Sequence, residues 1–151
     1  MKITKVESLH ADGGWRSLDF LKISTDEGVV GWSEYNESFG GLGVSAVIDG
    51  LAPMVIGKEV ANASEVFDLM KRARGHRMSK AAIETACWDL EAKKLGVPLW
   101  RHIGGTKNEI ECGVSIGIQD SVEQLFDKIQ TELDAGYQRI KIKIARTGIT
   151  T

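Results

Sequence analysis

The chain has 151 residues, 42% hydrophobic and 26% charged, with a formal net charge of -2; that is material for one buried core, without the basic excess that a nucleic-acid partner requires. No apolar run approaches the roughly 20 residues that span a bilayer, and Met1-Lys2-Ile3-Thr4-Lys5 has no signal-peptide core, so the cytoplasm is the expected location, with no membrane partner. Cys87 and Cys112 lie far apart and His10, His76 and His102 are scattered, so neither a disulfide nor a metal centre is expected from them.

Strand-like material comes first. Lys2 to Leu9, Leu18 to Thr25 and Val29 to Glu34 read as three strands, and Asp26-Glu27-Gly28 reads as the hairpin turn between the last two. The result is a small antiparallel meander. Between the first two strands lies His10-Ala11-Asp12-Gly13-Gly14-Trp15-Arg16, a loop with two glycines beside an aromatic and a cation, a make-up that suits a mobile ligand cover or a plain surface turn. A second Gly-rich loop, Tyr35 to Gly43, repeats the pattern.

Helices follow. Val44 to Leu51 reads as a short helix ending before Pro53, and Asn62 or Ser64 caps a segment whose Val66, Phe67, Met70 and Ala73 share one face. A longer helix begins at Ser79 with the stripe Ile83, Ala86, Cys87 and Leu90. Gly96 stops it, and Pro98 prevents its resumption.

The pattern then changes. Ile110 to Ile118 is rich in β-formers, and a helix follows in which Ser121 and Gln124 form a capping box, Val122, Leu125, Phe126, Ile129 and Leu133 form the stripe, and Gly136 is the stop. Next comes Arg139-Ile140-Lys141-Ile142-Lys143-Ile144, a strictly alternating strand with three isoleucines on one face and three cations on the other. This is a β-α-β unit with two parallel strands. Parallel strands usually belong to a sheet covered on both faces, so either the unit docks against the meander or the chain is the front end of something larger, and the second is the expectation. On a solvent face the two lysines are ordinary charges; inside a barrel they are costly and need a task.

Ala82-Ile83-Glu84-Thr85-Ala86-Cys87-Trp88-Asp89-Leu90-Glu91-Ala92-Lys93-Lys94-Leu95-Gly96-Val97-Pro98-Leu99-Trp100, followed by Ile103-Gly104-Gly105, resembles the capping-domain signature of the enolase superfamily, in its mandelate racemase and muconate lactonizing branch. Asp26 to Glu34 is similar to that branch's early hairpin, and Lys141-Ile142-Lys143 matches its Lys-x-Lys motif. The resemblance implies an α+β capping domain, a meander plus helices, over residues 1–104. Residues 105–151 then start a TIM-type α/β barrel, with Ile110 to Ile118 and Arg139 to Ile144 as its first two strands.

It also implies roles. Lys143 is the general base or acid at the carbon next to a carboxylate, Lys141 assists electrostatically, and Mg²⁺ stabilises the enolate. Family members hold that metal on later barrel strands that this sequence does not contain. A whole barrel takes roughly 250 residues, whereas fewer than 50 follow Gly105; the isolated chain is therefore expected to be inactive. Trp15 and Arg16 are the substrate-binding candidates, because a guanidinium on a loop suits a small carboxylate substrate. A homo-oligomer is expected.

Gly113 to Asp120 and Gly136 to Lys141 resemble the o-succinylbenzoate synthase and N-acylamino acid racemase group, whereas Gly13 to Arg16 and Trp32 to Glu37 resemble acid-sugar dehydratases. Glu34 and Glu37 read as solvated carboxylates, and Asp89 and Glu91 as helix-surface or junction charges. The other readings are a non-catalytic binding or oligomerisation module with solvated lysines, and, more weakly, a dinucleotide-binding unit, which lacks G-x-G-x-x-G and a terminal acid.

Overall fold

The computed structural model describes residues 1–38, 41–59 and 62–144. What the sequence suggests for Phe39, Gly40 and the tail from Ala145 to Thr151 lies outside the described residues. The chain divides into two units, Met1–Gly105 and a second beginning at Thr106.

In the first unit, β1 (Ile3–Asp12), β2 (Ser17–Thr25) and β3 (Val30–Tyr35) form an antiparallel sheet in the order β1-β2-β3. Period-two alternation sorts β2: Asp19, Leu21, Ile23 and Thr25 are buried, while the residues between them are half-exposed. Gly28 takes φ 80° and donates its N–H to the Thr25 carbonyl at 3.2 Å, closing the expected β2–β3 turn. The β1–β2 hairpin is tighter than the sequence suggests. His10, Ala11 and Asp12 pair with Asp19, Leu18 and Ser17, so the seven-residue loop shrinks to residues 13–16.

Three helices cover the inner face: α1 (Val44–Val55), α2 (Ala63–Leu69) and α3 (Arg77–Lys94). Their buried residues, among them Ile48, Leu51, Val55, Val66, Ile83 and Leu90, join Leu21 and Ile23 in one core. The expected end of α1 before Pro53 is wrong, because Pro53 lies inside the helix. Pro53 forfeits one N–H bond, to the Asp49 carbonyl, and continuing the turn past it buries Val55, which offsets that loss. Asn62 caps α2 by accepting from the Ser64 N–H at 2.8 Å. α3 starts two residues before the expected Ser79 and ends in a two-bond turn, Gly96 N–H to the Lys93 carbonyl and Val97 N–H to that of Ala92, with Gly96 at φ 68°. Pro98 then caps a single turn, α4 (Leu99–His102).

α3 lies directly on β3. A Cβ on Gly31 would sit 2.2 Å from the Ala86 carbonyl oxygen and 2.5 Å from Leu90 Cγ, so only glycine permits this approach. Ser33 Oγ donates to the Ala82 carbonyl at 2.7 Å. At the sheet edge, Asp89 accepts from the Trp32 N–H at 2.8 Å and Lys93 Nζ donates to the Val30 carbonyl at 2.8 Å, while the two side chains pair at 2.6 Å. Glu91 accepts from the Ala63 N–H at 2.9 Å at the start of α2. Asp89 and Glu91 of the signature helix are thus fasteners between elements.

In the second unit, β4 (Gly113–Ile116) and β5 (Arg139–Ile142) are parallel and joined through α5 (Val122–Asp134). Ser121 caps α5 by accepting from the Gln124 N–H at 3.2 Å. Gly136 (φ 95°) and Tyr137 close the helix onto the carbonyls of Leu133 and Glu132. Both strands are shorter than the sequence suggests, β4 at both ends and β5 only at its C-terminal end, after Ile142; upstream of Arg139, Gly136 and Tyr137 are engaged by that helix end. Residues 110–112 consequently have no paired position on β5, whose register begins at Gly113↔Arg139. Ile116 is buried, but no α5 residue is, and Phe126, Ile142 and Ile144 are exposed. Among the described residues no helix is long and apolar enough to cross a membrane.

The Gly31 contact gives the first prediction. Gly31→Ala should destabilise the chain by about 1–3 kcal/mol through overpacking, read from urea unfolding midpoints; Gly50→Ala, where a Cβ meets nothing within 4 Å, is the control and should cost far less.

Candidate functional site

The lysine strand presents its chemistry at one end of the parallel pair. In register, Arg139 stands beside Gly113, Lys141 beside Ser115 and Ile142 beside Ile116. Lys143 follows the last residue of β5, and its N–H donates to the Ile116 carbonyl at 3.1 Å, prolonging the ladder by one bond. Alternation puts Gly113 and Ser115 on the same face as Arg139 and Lys141, with Val114 and Ile116 opposite. A Cβ on Gly113 would lie 2.7 Å from Arg139 Nε, so the Arg139 side chain crosses the space a larger residue would fill. Small neighbours on β4 leave the lysines unobstructed. Both lysines are exposed, rather than enclosed as a barrel interior would have them; among the described residues β4 and β5 make up their sheet.

The hairpin tip carries the other two candidates. Gly14 (φ 82°) donates to Asp12 Oδ1 at 2.8 Å, and Gly13 donates to the Arg16 carbonyl at 2.9 Å. Trp15 is 77% exposed. The Arg16 guanidinium lies 4.7 Å from the Trp15 ring centroid and 3.4 Å from Glu34 Oε1. Arg16 is therefore already stacked and paired, and an incoming carboxylate would have to displace Glu34. Its Nε is buried without a partner among the described residues, leaving one donor direction unused. Trp15 and Arg16 belong to the first unit, Lys141 and Lys143 to the second.

A third cluster went unrecognised in the sequence. Asp19, 2% exposed, accepts from the Ser38 hydroxyl at 2.5 Å, the Ser38 N–H at 2.7 Å and the Glu37 N–H at 2.8 Å, and lies 2.8 Å from His10 Nδ1. Burial by itself would raise its pKa, but the bonds from Ser38, Glu37 and His10 outweigh it and hold the carboxyl well below the usual carboxylate range. Glu37 in turn accepts from the N–H groups of Gly43 and Ser45 at the start of α1, bonds to Ser45 and Gly43 that lower its pKa. Asp19 and Glu37 together tie the second Gly-rich loop to the sheet and to α1. The signal for Asp19 was a lone acid inside Leu18-Asp19-Phe20-Leu21. Its partners, 18 and 19 residues away, carry no such pattern.

Among the described residues no group of three His, Cys, Asp or Glu side chains is arranged to hold a metal ion. The described residues do not make a magnesium site.

Asp19 yields a pH prediction. Its folded pKa is depressed, so its contribution to stability is present above the unfolded value of about 3.9 and is lost as pH falls from there toward the folded value. Urea midpoints should therefore drop on acidification below about pH 5. In Asp19→Asn, which is less stable at neutral pH, that slope should be shallower; an equal slope in both proteins would rule Asp19 out as the cause.

A family model for the mandelate racemase / muconate lactonizing enzyme N-terminal domain matches residues 11–104. The chain is 38% identical over 142 residues to an o-succinylbenzoate synthase of Geobacillus kaustophilus, covering 87% of this chain and 38% of that protein. It is 44% identical over 92 residues to an N-succinylamino acid racemase of Thermus thermophilus (61% of this chain, 25% of that protein). It is also 32% identical over 149 residues to a D-galactonate dehydratase of Verminephrobacter eiseniae (94% and 38%). Among solved structures, a mandelate racemase/muconate lactonizing protein from Paracoccus denitrificans complexed with magnesium matches with a TM-score of 0.81 at 31% identity, covering 93% of this chain and 41% of that one. The chain thus spans 38% of the length of the synthase it matches.

Proposed function

The chain belongs to the mandelate racemase / muconate lactonizing enzyme family of the enolase superfamily, and on that premise we propose that it is the N-terminal part of an enzyme that removes the proton α to a carboxylate, as an o-succinylbenzoate synthase or N-acylamino acid racemase does. The observation that carries the reading is the placement of Lys141 and Lys143 at the C-terminal end of two parallel strands, unobstructed by Gly113 and Ser115. In barrels of parallel strands, that end is where reacting groups gather.

The chemistry assigned to this chain is one proton transfer. A neutral Lys143 amine takes the α-proton onto Nζ, and the C–H electron pair moves into conjugation with the substrate carboxylate. Lys141, on the same face, adds positive charge beside the developing anion. The main stabilisation of that anion, including any magnesium, is assigned to groups beyond the described residues, which offer no ligand set. Trp15 and Arg16 are assigned to substrate recognition, with Arg16 exchanging Glu34 for the substrate's carboxylate. The substrate is a small carboxylate, and the working enzyme is a cytoplasmic homo-oligomer. A sugar-acid dehydratase is the second reading within the same chemistry, favoured by the match to a D-galactonate dehydratase over 94% of this chain and 38% of that protein.

For the chain taken alone, a non-catalytic folded module is the competing reading, favoured by the exposure of both lysines. A chimera separates the possibilities. Residues 1–144 replace the matching N-terminal part of the Geobacillus kaustophilus synthase, and o-succinylbenzoate synthesis, N-succinylamino acid racemisation and D-galactonate dehydration are assayed with magnesium. Lys143→Met should lower the chimera's turnover by about 10²–10⁴-fold with an unchanged unfolding midpoint. A Lys143→Met chimera as active as its parent would refute the assignment. The 151-residue chain alone, given the same substrates in D₂O, should show no α-proton exchange; measurable exchange would overturn its inactivity.

A further inference from the structure

Five cations, Lys71, Arg72, Arg74, Arg77 and Lys80, fall within ten residues that contain no Asp or Glu. The segment runs into α3 through Gly75 and His76, both at positive φ. It borders a cleft of about 460 Å³ lined by Phe67, Gly75, Arg77, Lys80 and Ala81, within the size range of small-ligand sites.

Lys80 is the unusual member. It is only 6% exposed. Its ammonium donates to the Ala73 carbonyl and stands 5.8 Å from the Phe67 ring centroid. Among the described residues, the ion pairs of this segment reduce to one, Lys71 with Asp68, and none involves Arg74, Arg77 or Lys80. A buried ammonium held by one carbonyl and a ring face is poorly compensated for its lost hydration. Separately, α3 begins with no side-chain cap and no acid in its first turn, so the positive end of an 18-residue helix opens beside the same residues.

We propose that this cleft is an oxyanion-binding site for a phosphate-class group, held by Lys80 and Arg77 at the N-terminus of α3, with Arg74 adding charge beside it. A dianion fits better than a single carboxylate, because two cations and a helix N-terminus converge on one small space. The site lies wholly in the first unit and does not depend on the lysine strand.

The test uses the 151-residue chain with inorganic phosphate, acetate and chloride at matched ionic strength, followed by thermal unfolding and by calorimetric titration of phosphate. Phosphate should raise the unfolding midpoint above its value in chloride, with acetate giving a smaller rise. Arg77→Ala, an exposed position, should keep its midpoint in chloride and bind phosphate about 5-fold or more weakly, as expected for one lost charge-assisted contact. Lys80→Met should abolish the phosphate effect; should that variant fail to fold, Arg77→Ala and Arg74→Ala decide. Equal midpoints in phosphate and chloride would overturn the site, as would an Arg77→Ala titration matching that of the parent chain. Stabilisation by acetate equal to that by phosphate would overturn its phosphate class.

Discussion

The first unit depends on the closeness of α3 to β3. Gly31 lets the helix backbone come within van der Waals reach of the strand, and every other fastening between them assumes that distance. Ser33 reaches the Ala82 carbonyl, Asp89 the Trp32 N–H and Lys93 the Val30 carbonyl, and the short side chains of Ser33 and Asp89 leave little slack. The small residues Ala82 and Ala86 on the facing side of α3 are fully buried for the same reason. Two of the three segments that mark the family, the hairpin of β3 and the helix α3, are therefore the two halves of a single packing contact.

That division separates fold from chemistry. The capping-domain signature specifies how a helix seats on a sheet, and it holds whatever the enzyme acts on. The chemistry proposed for the chain belongs instead to short segments at element ends: the lysines at the end of β5, and the hairpin tip of Trp15 and Arg16. The second Gly-rich loop stands between the two kinds, since its described part is anchored by Asp19 and Glu37 through backbone N–H groups. Such anchoring fixes where the loop leaves the sheet and where it enters α1, whatever the residues between do.

Much of the fold was legible because it rests on local rules. Periodicity located α2, α3 and α5, and Asn62, Ser121, Gly96 and Gly136 act at helix ends as their residue types predict. Pro53 misled because its penalty was weighed without the burial of Val55 two residues on. The β4 and β5 strands came out shorter because a strand's length depends on its partner's register, which no single segment encodes. The candidate site was legible only in part. Lys141 and Lys143 stood out by alternation, whereas the pairing of Arg16 with Glu34 and the coordination of Asp19 join residues about 18 positions apart, beyond any local pattern.

The clip formed by Asp89 and Lys93 also bears on solubility. An edge strand with free backbone groups is a template for another chain's strand. In the first unit, the middle of β3 already has its outward N–H and carbonyl occupied by α3 side chains, so a helix closes that flank where another protein would need one more strand. In the second unit both strands are edges, and there Arg139, Lys141 and Lys143 do the guarding: cations in register on one strand repel an identical strand laid alongside. The positive face proposed to meet a carboxylate is in this way also a defence against the chain's own copies.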